Sequence, residues 1–358
     1  NVNVLKGPNA TALYGQRGEN GVVIISTKDS GETGVSVELT NSFTIEQVAY
    51  LPNYQNQYGQ GYAGQAEWTT FNYDPSSHVE YFEALDGKQH IATMWSDESW
   101  GPKFDGRQYA PWYSWFPDSP YYGETVAWEA RPNNVQNFFN RGTTNKGGFA
   151  VNAVGDSYNA RISYTNLSQS GLIPYSNLGK HFMSGRFQYD ITDDFKVSAN
   201  VKYTMQEVKG DVRDDGYANQ SSGMFNQWFG RQINVERLKE LKDLRTPAGT
   251  QANWNWWGPD GDFPYSVGGT TELGLGLKSP TFWFNPYEWM SEYQVTRDRN
   301  NLLLNFDASY QISDQVEVTA SSNITQENYD RRYEVPYTFE YSSDQSGLLY
   351  NHFVTSFG

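Results

Sequence analysis

The feature that most constrains the fold is an unbroken alternation of apolar and polar residues over 195–205. The apolar members are Phe195, Val197, Ala199, Val201, Tyr203 and Met205, and the polar members are Lys196, Ser198, Asn200, Lys202 and Thr204. A period of two places the two sets on opposite faces of a β-strand. The segment also has the length, about 9 to 11 residues, that a tilted strand needs to cross an outer membrane. We therefore predict a transmembrane strand in which Val197, Ala199, Val201 and Tyr203 face lipid while Ser198, Asn200 and Lys202 face the lumen of a barrel.

Other segments repeat this alternation less strictly. Apolar residues share a parity in four of them: Val35, Val37, Leu39, Phe43 and Ile45; Tyr158, Ala160, Ile162 and Tyr164; Leu302, Leu304, Phe306, Ala308 and Tyr310; Val316, Val318, Ala320 and Ile324. Less regular strands fit 149–154 and 182–191. The mean hydropathy is -0.71 and no stretch approaches the roughly 20 apolar residues of a membrane helix, which excludes a helical membrane protein. A barrel strand shows only every second side chain to lipid, so low hydropathy is compatible with a barrel, as it is with a secreted β-sandwich.

The connections between these strands are predicted to alternate in length. Short turns fall at 155–157, 192–194 and 313–315, and long connections fall at about 50–144, 169–180 and 209–294. Outer-membrane barrels place short turns on the periplasmic side and long loops outside. The alternation therefore favours a barrel over a soluble sandwich. A helix is predicted inside the third long loop, at 233–244.

Several classes of chemistry find no support in the sequence. The chain has no cysteine, which excludes disulfides and Cys-ligated metal sites, and its formal charge of -15 argues against nucleic acid as a partner. Its four histidines, at 78, 90, 181 and 352, are dispersed. Asp211, Asp214, Asp215, Asp260 and Asp262 superficially suggest calcium loops, but they lack the full alternation of oxygen ligands, so solvated acidic loops are the favoured interpretation. We expect no cofactor and no enzymatic activity.

Tryptophan is concentrated in the connections. All 12 Trp lie in the first and third long loops. An exposed indole offers a flat face and one N–H donor, which suits a sugar or a peptide, although long loops also use Trp to fill small cores of their own. The candidate substrate contacts are Trp100, Trp112, Trp115, Trp254, Trp256 and Trp257. The last three are the strongest group, because Asn255, Gly258 and Pro259 make burial of all three rings difficult.

The sequence resembles a known family, the SusC-like branch of the TonB-dependent outer-membrane transporters of Bacteroidetes. The resemblance rests on motifs in the family's order: Val4-Leu5-Lys6-Gly7-Pro8 with Ala12-Leu13-Tyr14-Gly15; Asn20-Gly21-Val22-Val23; Trp100-Gly101-Pro102-Lys103-Phe104-Asp105-Gly106; Phe138-Phe139-Asn140-Arg141-Gly142; Gly171-Leu172-Ile173-Pro174; Thr246-Pro247; Trp254-Asn255; and Asn285-Pro286-Tyr287. The first two look like the last strands of the family's plug.

The resemblance implies an all-β fold: the C-terminal end of a plug domain at 1–30, then the N-terminal part of a transmembrane antiparallel β-barrel at 31–358. The chain would be an internal fragment with about seven of about 22 strands. It further implies TonB-dependent import of a large nutrient, a glycan or peptide, across the bacterial outer membrane. The implied partners are a SusD-like surface lipoprotein, TonB with its inner-membrane complex, and outer-membrane lipid. The alternatives are a soluble extracellular Trp-rich β-domain that binds carbohydrate, and an outer-membrane channel or secretion component on the same barrel.

Overall fold

The computed structural model describes residues 2–25, 33–62, 68–210, 224–226, 228–247, 251–259, 283–334 and 354–357. Its strands are β1 (Val2–Leu5), β2 (Val22–Ile25), β3 (Gly34–Glu46), β4 (Trp68–Thr70), β5 (Gln89–Ile91), β6 (Gln108–Tyr109), β7 (Val126–Ala127), β8 (Gly142–Val154), β9 (Tyr158–Ser170), β10 (Asn177–Asp190), β11 (Phe195–Lys209), β12 (Gln294–Ser313), β13 (Val316–Glu334) and β14 (Val354–Phe357). Its helices are α1 (Pro8–Tyr14), α2 (Asn134–Phe138), α3 (Val235–Glu240) and α4 (Pro286–Glu292). None of the helices in these ranges has the length and apolar character needed to span a membrane.

One large antiparallel sheet dominates the molecule. It has 8 strands in the order β14-β13-β12-β11-β10-β9-β8-β3, so neighbours in the sheet are neighbours along this series in the chain. Up-and-down order of this kind is the layout of an antiparallel barrel wall. Seven of the strands are long, from 13 residues in β3 to 20 in β12, which agrees with the predicted count of about seven.

The register aligns the apolar side chains on one face of the sheet. Residues directly opposite one another in an antiparallel pair share a face, so pairing can be followed from strand to strand. One row runs Val37, Val151, Ile162, Gly185, Val201, Leu304, Ile324, and the next runs Leu39, Phe149, Tyr164, Met183, Tyr203, Leu302. Many of these side chains are exposed, Val37 by 64% and Leu39 by 80%. We call this surface the apolar face.

The opposite surface, the polar face, carries hydrogen-bonded polar and charged side chains. Arg161 donates to Asn152 Oδ1 at 2.6 Å and forms an ion pair with Glu38 at 3.2 Å, which joins three neighbouring strands. Ser198 and Ser321 both donate to the Asp307 carboxylate. The predicted alternation in β11 is therefore confirmed as a division between an apolar and a polar surface.

Charge on the apolar face is confined to one end. Glu207, Asp298 and Asp330 form a cross-strand row on β11, β12 and β13, at the end from which the long loops leave the sheet. Below this row, the described strands place no Asp, Glu, Lys or Arg on the apolar face. The face is therefore apolar over the height of a membrane-crossing strand and charged only at its upper edge.

The predicted connections are confirmed with one exception. Short turns join β8 to β9, β10 to β11 and β12 to β13, and long connections follow β3 and β11. The second connection, predicted as a long loop at 169–180, is instead a tight link between Ser170 and Asn177. The prediction was wrong because β9 and β10 continue pairing through polar residues, where the alternation of apolar side chains has already ended. Similarly, β8 begins at Gly142, so the first long loop ends earlier than residue 144.

The N-terminal segment forms a small unit of its own. β1 pairs with β2 in antiparallel fashion, and α1 and a 3-10 helix at Gly15–Gly18 lie between them. The sequence predicted strands and turns here but missed α1, in which Pro8 occupies the first turn, where its missing N–H costs nothing. Gly7 and Gly15, with φ of 58° and 60°, flank that helix in backbone conformations that favour glycine. The predicted boundary at residue 30 lies outside the described residues.

Candidate functional site in the loop cap

The two long connections fold together into one body, which we call the loop cap: the described residues between β3 and β8 and between β11 and β12. It contains nearly all of the buried hydrophobic core, whereas the large sheet contributes only Ala150 and Val295 to the buried apolar set in the described residues. The predicted helix in the third loop is present as α3, shorter than 233–244, with Val235 and Leu238 buried. The cap is thus a packed structure rather than a set of loose loops.

Aromatic rings make up much of this core. Trp115 packs edge-on against Phe71 and Phe82 at centroid distances of 5.1 and 5.3 Å, and Trp256 of the third loop lies 5.8 Å from it. A second group forms around Trp128, which contacts Trp68 at 5.1 Å. Edge-to-face contacts between buried rings stabilise beyond the area that they bury, by about 0.5 to 1.5 kcal/mol per pair.

Polar groups also join the first and third loops. Gln60 and Gln232 are both buried and exchange hydrogen bonds: the Gln60 backbone N–H donates to Gln232 Oε1, and Gln232 Nε2 donates to Gln60 Oε1, each at 2.9 Å. Arg231 donates to the Gln55 carbonyl and to Asn56 Oδ1, at 3.0 Å each, and its guanidinium lies over the Tyr54 ring. These bonds fix one loop relative to the other, because an unpaired buried amide costs about 1 to 3 kcal/mol.

A buried carboxyl lies at the same junction. Asp97 Oδ2 accepts a hydrogen bond from the Trp283 indole N–H, and the backbone N–H of Trp283 donates to Asn255 Oδ1. Burial is the main reason that the pKa of the Asp97 carboxyl is raised to about 7; the bond from Trp283 lowers this pKa, and the neighbouring Glu98 contributes to raising it. Near neutral pH this group is therefore divided between its neutral and charged forms.

Most of the tryptophans predicted as substrate contacts are part of the core. Trp112, Trp115, Trp254 and Trp256 are between 0% and 3% exposed, so their ring faces are covered by protein. The sequence predicted that burial of all three rings of Trp254, Trp256 and Trp257 would be difficult; the first two are buried, and Trp257 is half-buried. Asn255 between them is itself buried, and its amide donates to the Trp95 carbonyl at 2.8 Å, so this polar side chain has a hydrogen-bond partner in the interior.

The remaining two candidates stay accessible and lie with two further rings. Trp100 is 70% exposed, and its backbone N–H donates to the Gly61 carbonyl, next to Tyr62. Trp257 is half-buried and stacks on Trp95 at 6.0 Å, and Trp95 lies 6.2 Å from Tyr62. We call Tyr62, Trp95, Trp100 and Trp257 the aromatic ledge. Tyr62 was not singled out from the sequence, because only the pairing of 59–61 with 99–101 brings it to the tryptophans.

Metal chemistry was not predicted from the sequence. In the part of the chain that the structure describes, no group of three or more His, Asp or Glu side chains is arranged to hold a metal ion. The acidic runs that superficially suggested calcium, at Asp211, Asp214, Asp215, Asp260 and Asp262, lie outside the described residues. Asp97 and Glu98, considered as a carboxylate pair for hydrolysis, differ in environment, since Asp97 is buried and Glu98 accepts from Ser96 Oγ.

Comparison with known proteins identifies the architecture. No family model matches the chain, and no curated protein matches its sequence. Two solved structures of the RagAB peptide importer, in the "closed-closed" and "open-open" states, match with TM-scores of 0.55 and 0.56 at 17% and 16% identity. Each match covers 95% of this chain and 33% of that chain. A structure of the RagAB peptide transporter matches with a TM-score of 0.50 at 17% identity, covering 93% of this chain and 32% of that chain.

These matches show the fold. The chain has the all-β architecture of a partial antiparallel barrel with long loops at one end, which confirms the fold class predicted from the sequence. It spans about a third of the length of the chains that it matches.

Proposed function

We propose that this chain belongs to a SusC-like transporter that imports a large nutrient, a peptide or glycan, across the bacterial outer membrane. The observation that carries the proposal is the apolar face, which runs in register across seven strands, is exposed, and holds no charge below its upper edge. A soluble protein rarely exposes so continuous an apolar surface, whereas the outside of a transmembrane barrel requires one. The likeness to a peptide importer adds support to this interpretation.

In this proposal the loop cap lies on the extracellular side and the polar face lines the lumen. Cargo is bound between the cap and the lumen, a SusD-like lipoprotein covers it, and TonB supplies the force that admits it to the periplasm. The aromatic ledge offers flat, accessible faces for cargo or for the lipoprotein. The chain acts in transport and catalyses no reaction.

The membrane part of the proposal is tested on the full-length protein in its own outer membrane. Alkaline carbonate should leave the protein in the membrane pellet, and detergent should release it, together with a surface lipoprotein. Release by carbonate alone would support the alternative of a soluble carbohydrate-binding domain. That alternative already loses support from the burial of four of the six candidate tryptophans.

The transport part is tested by uptake of labelled oligopeptides and oligosaccharides. Replacing Trp95 and Trp257 together by Ala should leave barrel assembly intact and weaken uptake or lipoprotein retention, whereas the matched Trp→Phe pair, which keeps flat rings, should retain most of both. A membrane-bound protein whose loss changes neither type of uptake would instead favour a channel or secretion component.

A further inference from the structure

The polar face of the sheet is rich in positive charge at its upper end, although the chain as a whole has a formal charge of -15. Lys146, Lys180 and Arg299 lie in a single cross-strand row, separated by Leu167 and Gln206. Arg297 and Arg331 lie directly opposite each other in the next row up. We call these five residues the basic rim. It lies at the end of the sheet from which the loop cap emerges.

The carboxylates nearby neutralise only part of this charge. Arg299 forms an ion pair with Glu327, with Nε and Oε1 2.8 Å apart, and Glu46 stands at the far edge of the sheet, opposite Gly142. Within the described residues, Lys146 and Lys180 have no carboxylate partner. Arg297 and Arg331, in the next row, bring two further guanidinium groups to the same end of the face.

The lower end of the same face is balanced. Its charged side chains are, for the cations, Arg161, Arg186, Lys196 and Lys202, and, for the carboxylates, Glu38, Asp190, Asp307 and Glu317. Lys196 pairs with Asp190 at 3.8 Å, and Arg161 pairs with Glu38. The excess of cations is therefore a property of the rim and not of the whole polar face.

We propose that the basic rim binds the carboxylates of acidic oligopeptides as they pass from the loop cap into the lumen, so that the transporter prefers acidic cargo. This inference rests on the proposed transport function. Strands lie about 4.8 Å apart, so neighbouring cations of the row, each two strands from the next, are separated by about 10 Å. A peptide in the polyproline II conformation, with three residues per turn and about 3.1 Å per residue, presents every third side chain on the same side at intervals of about 9 Å, which lets several carboxylates meet the row together. A concentration of charge of one sign at an entrance raises the association rate of ligands that carry the opposite charge.

The direct test uses the wild-type transporter with its lipoprotein and requires no mutation. Two labelled octapeptides are compared, one rich in Glu and one with every Glu replaced by Gln. At low ionic strength we expect the Glu peptide to bind about tenfold more tightly, and we expect the difference to shrink in high salt because exposed charges are screened. Equal binding of the two peptides would overturn the inference while leaving transport intact. Failure to bind either peptide would count against the proposed function itself.

The rim is then tested with the double variant Lys146→Gln and Lys180→Gln. The preference for the Glu peptide should fall to about threefold or less, whereas Lys196→Gln, a matched control at the lower end of the same face, should keep it. An unchanged preference in the double variant would overturn the assignment to the rim. The assignment would also be overturned if the double variant, but not the control, lost the heat-resistant barrel. The two lysines would then serve to stabilise the barrel or its plug. A stronger preference for an acidic oligosaccharide than for the Glu peptide would refute peptide as the cargo.

Discussion

The large sheet and the loop cap place apolar side chains in opposite ways. On the sheet, Val37 and Leu39 are exposed by 64% and 80%, whereas in the cap the much larger Trp115 and Trp256 are fully buried. Residue type alone does not explain the difference, because Val235 and Leu238 of the cap are also buried. It arises because the cap builds a core between its own two loops, while the sheet requires an apolar environment supplied from outside the chain. In the proposed transporter that outside environment is the lipid beside the sheet, whereas water surrounds the cap.

The contrast predicts that loss of a large ring is costly in the cap. Trp115→Ala should destabilise the cap by about 3 to 5 kcal/mol, because it removes contacts with Phe71 and Phe82 and leaves a cavity. Amide hydrogen exchange should show faster opening of the cap while the barrel remains resistant to heat in detergent gels. Trp100→Ala, at a ring that is 70% exposed, is the control and should change exchange little. If both substitutions behave alike, the cap has no independent core.

A charge placed on the apolar face should destabilise the barrel rather than the cap. Val201→Arg is expected to destabilise the barrel by about 2 to 4 kcal/mol if it lies near the membrane midplane, because the guanidinium would enter hydrocarbon. Ser198→Arg, on the polar face of the same strand, should be tolerated. Folding yield into lipid vesicles measures both. Should Val201→Arg be harmless while Lys202→Leu blocks insertion, the two faces have been assigned the wrong way round.

The polar junction within the cap should give a smaller effect. Gln232→Leu leaves the backbone N–H and the side-chain oxygen of Gln60 without their partner, at a cost of about 1 to 3 kcal/mol. Limited proteolysis should then cut the first loop sooner, since the third loop no longer holds it. Gln108→Leu, at an exposed position, provides the comparison. An unchanged cleavage pattern would show that ring packing alone joins the loops.

The last expected effect concerns the pH dependence of stability, which should differ between the cap and the barrel. The folded cap raises the pKa of Asp97 above its unfolded value, to about 7, so the folded state binds this proton more tightly. Cap stability should therefore fall as pH rises from about 4 to about 7 and level off above that range. Asp97→Asn keeps an acceptor for Trp283 and should remove this pH dependence of cap stability. The pH dependence of barrel stability should stay the same. Hydrogen exchange of the cap at several pH values measures it, and an identical pH profile in the variant would contradict the assignment.

The sequence predicted the sheet far better than the cap, and the reason is physical. The two faces of a strand follow from a local period of two. The sequence alone therefore predicted β11 and the alternating apolar residues of its neighbouring strands. That information ended where strands continued in polar residues, which is why the link between Ser170 and Asn177 was taken for a long loop. In the cap, burial depends on partners distant in sequence: Gln60 and Gln232 are 172 residues apart, and Asn255 bonds a carbonyl 160 residues away. No local pattern around Trp254 or Trp256 could indicate that contact.

In the proposed transporter, the row of Glu207, Asp298 and Asp330 at the top of the apolar face marks the outer boundary of the hydrocarbon. Moving three adjacent carboxylates into hydrocarbon costs several kcal/mol. Moving the sheet outward would instead lift Tyr203 and Leu302 out of the hydrocarbon. In that transporter, the charged and apolar residues of the outer surface set the vertical position of the barrel in the membrane. In this arrangement the loop cap and its aromatic ledge are held at a fixed height over the bilayer, where the proposed lipoprotein meets them.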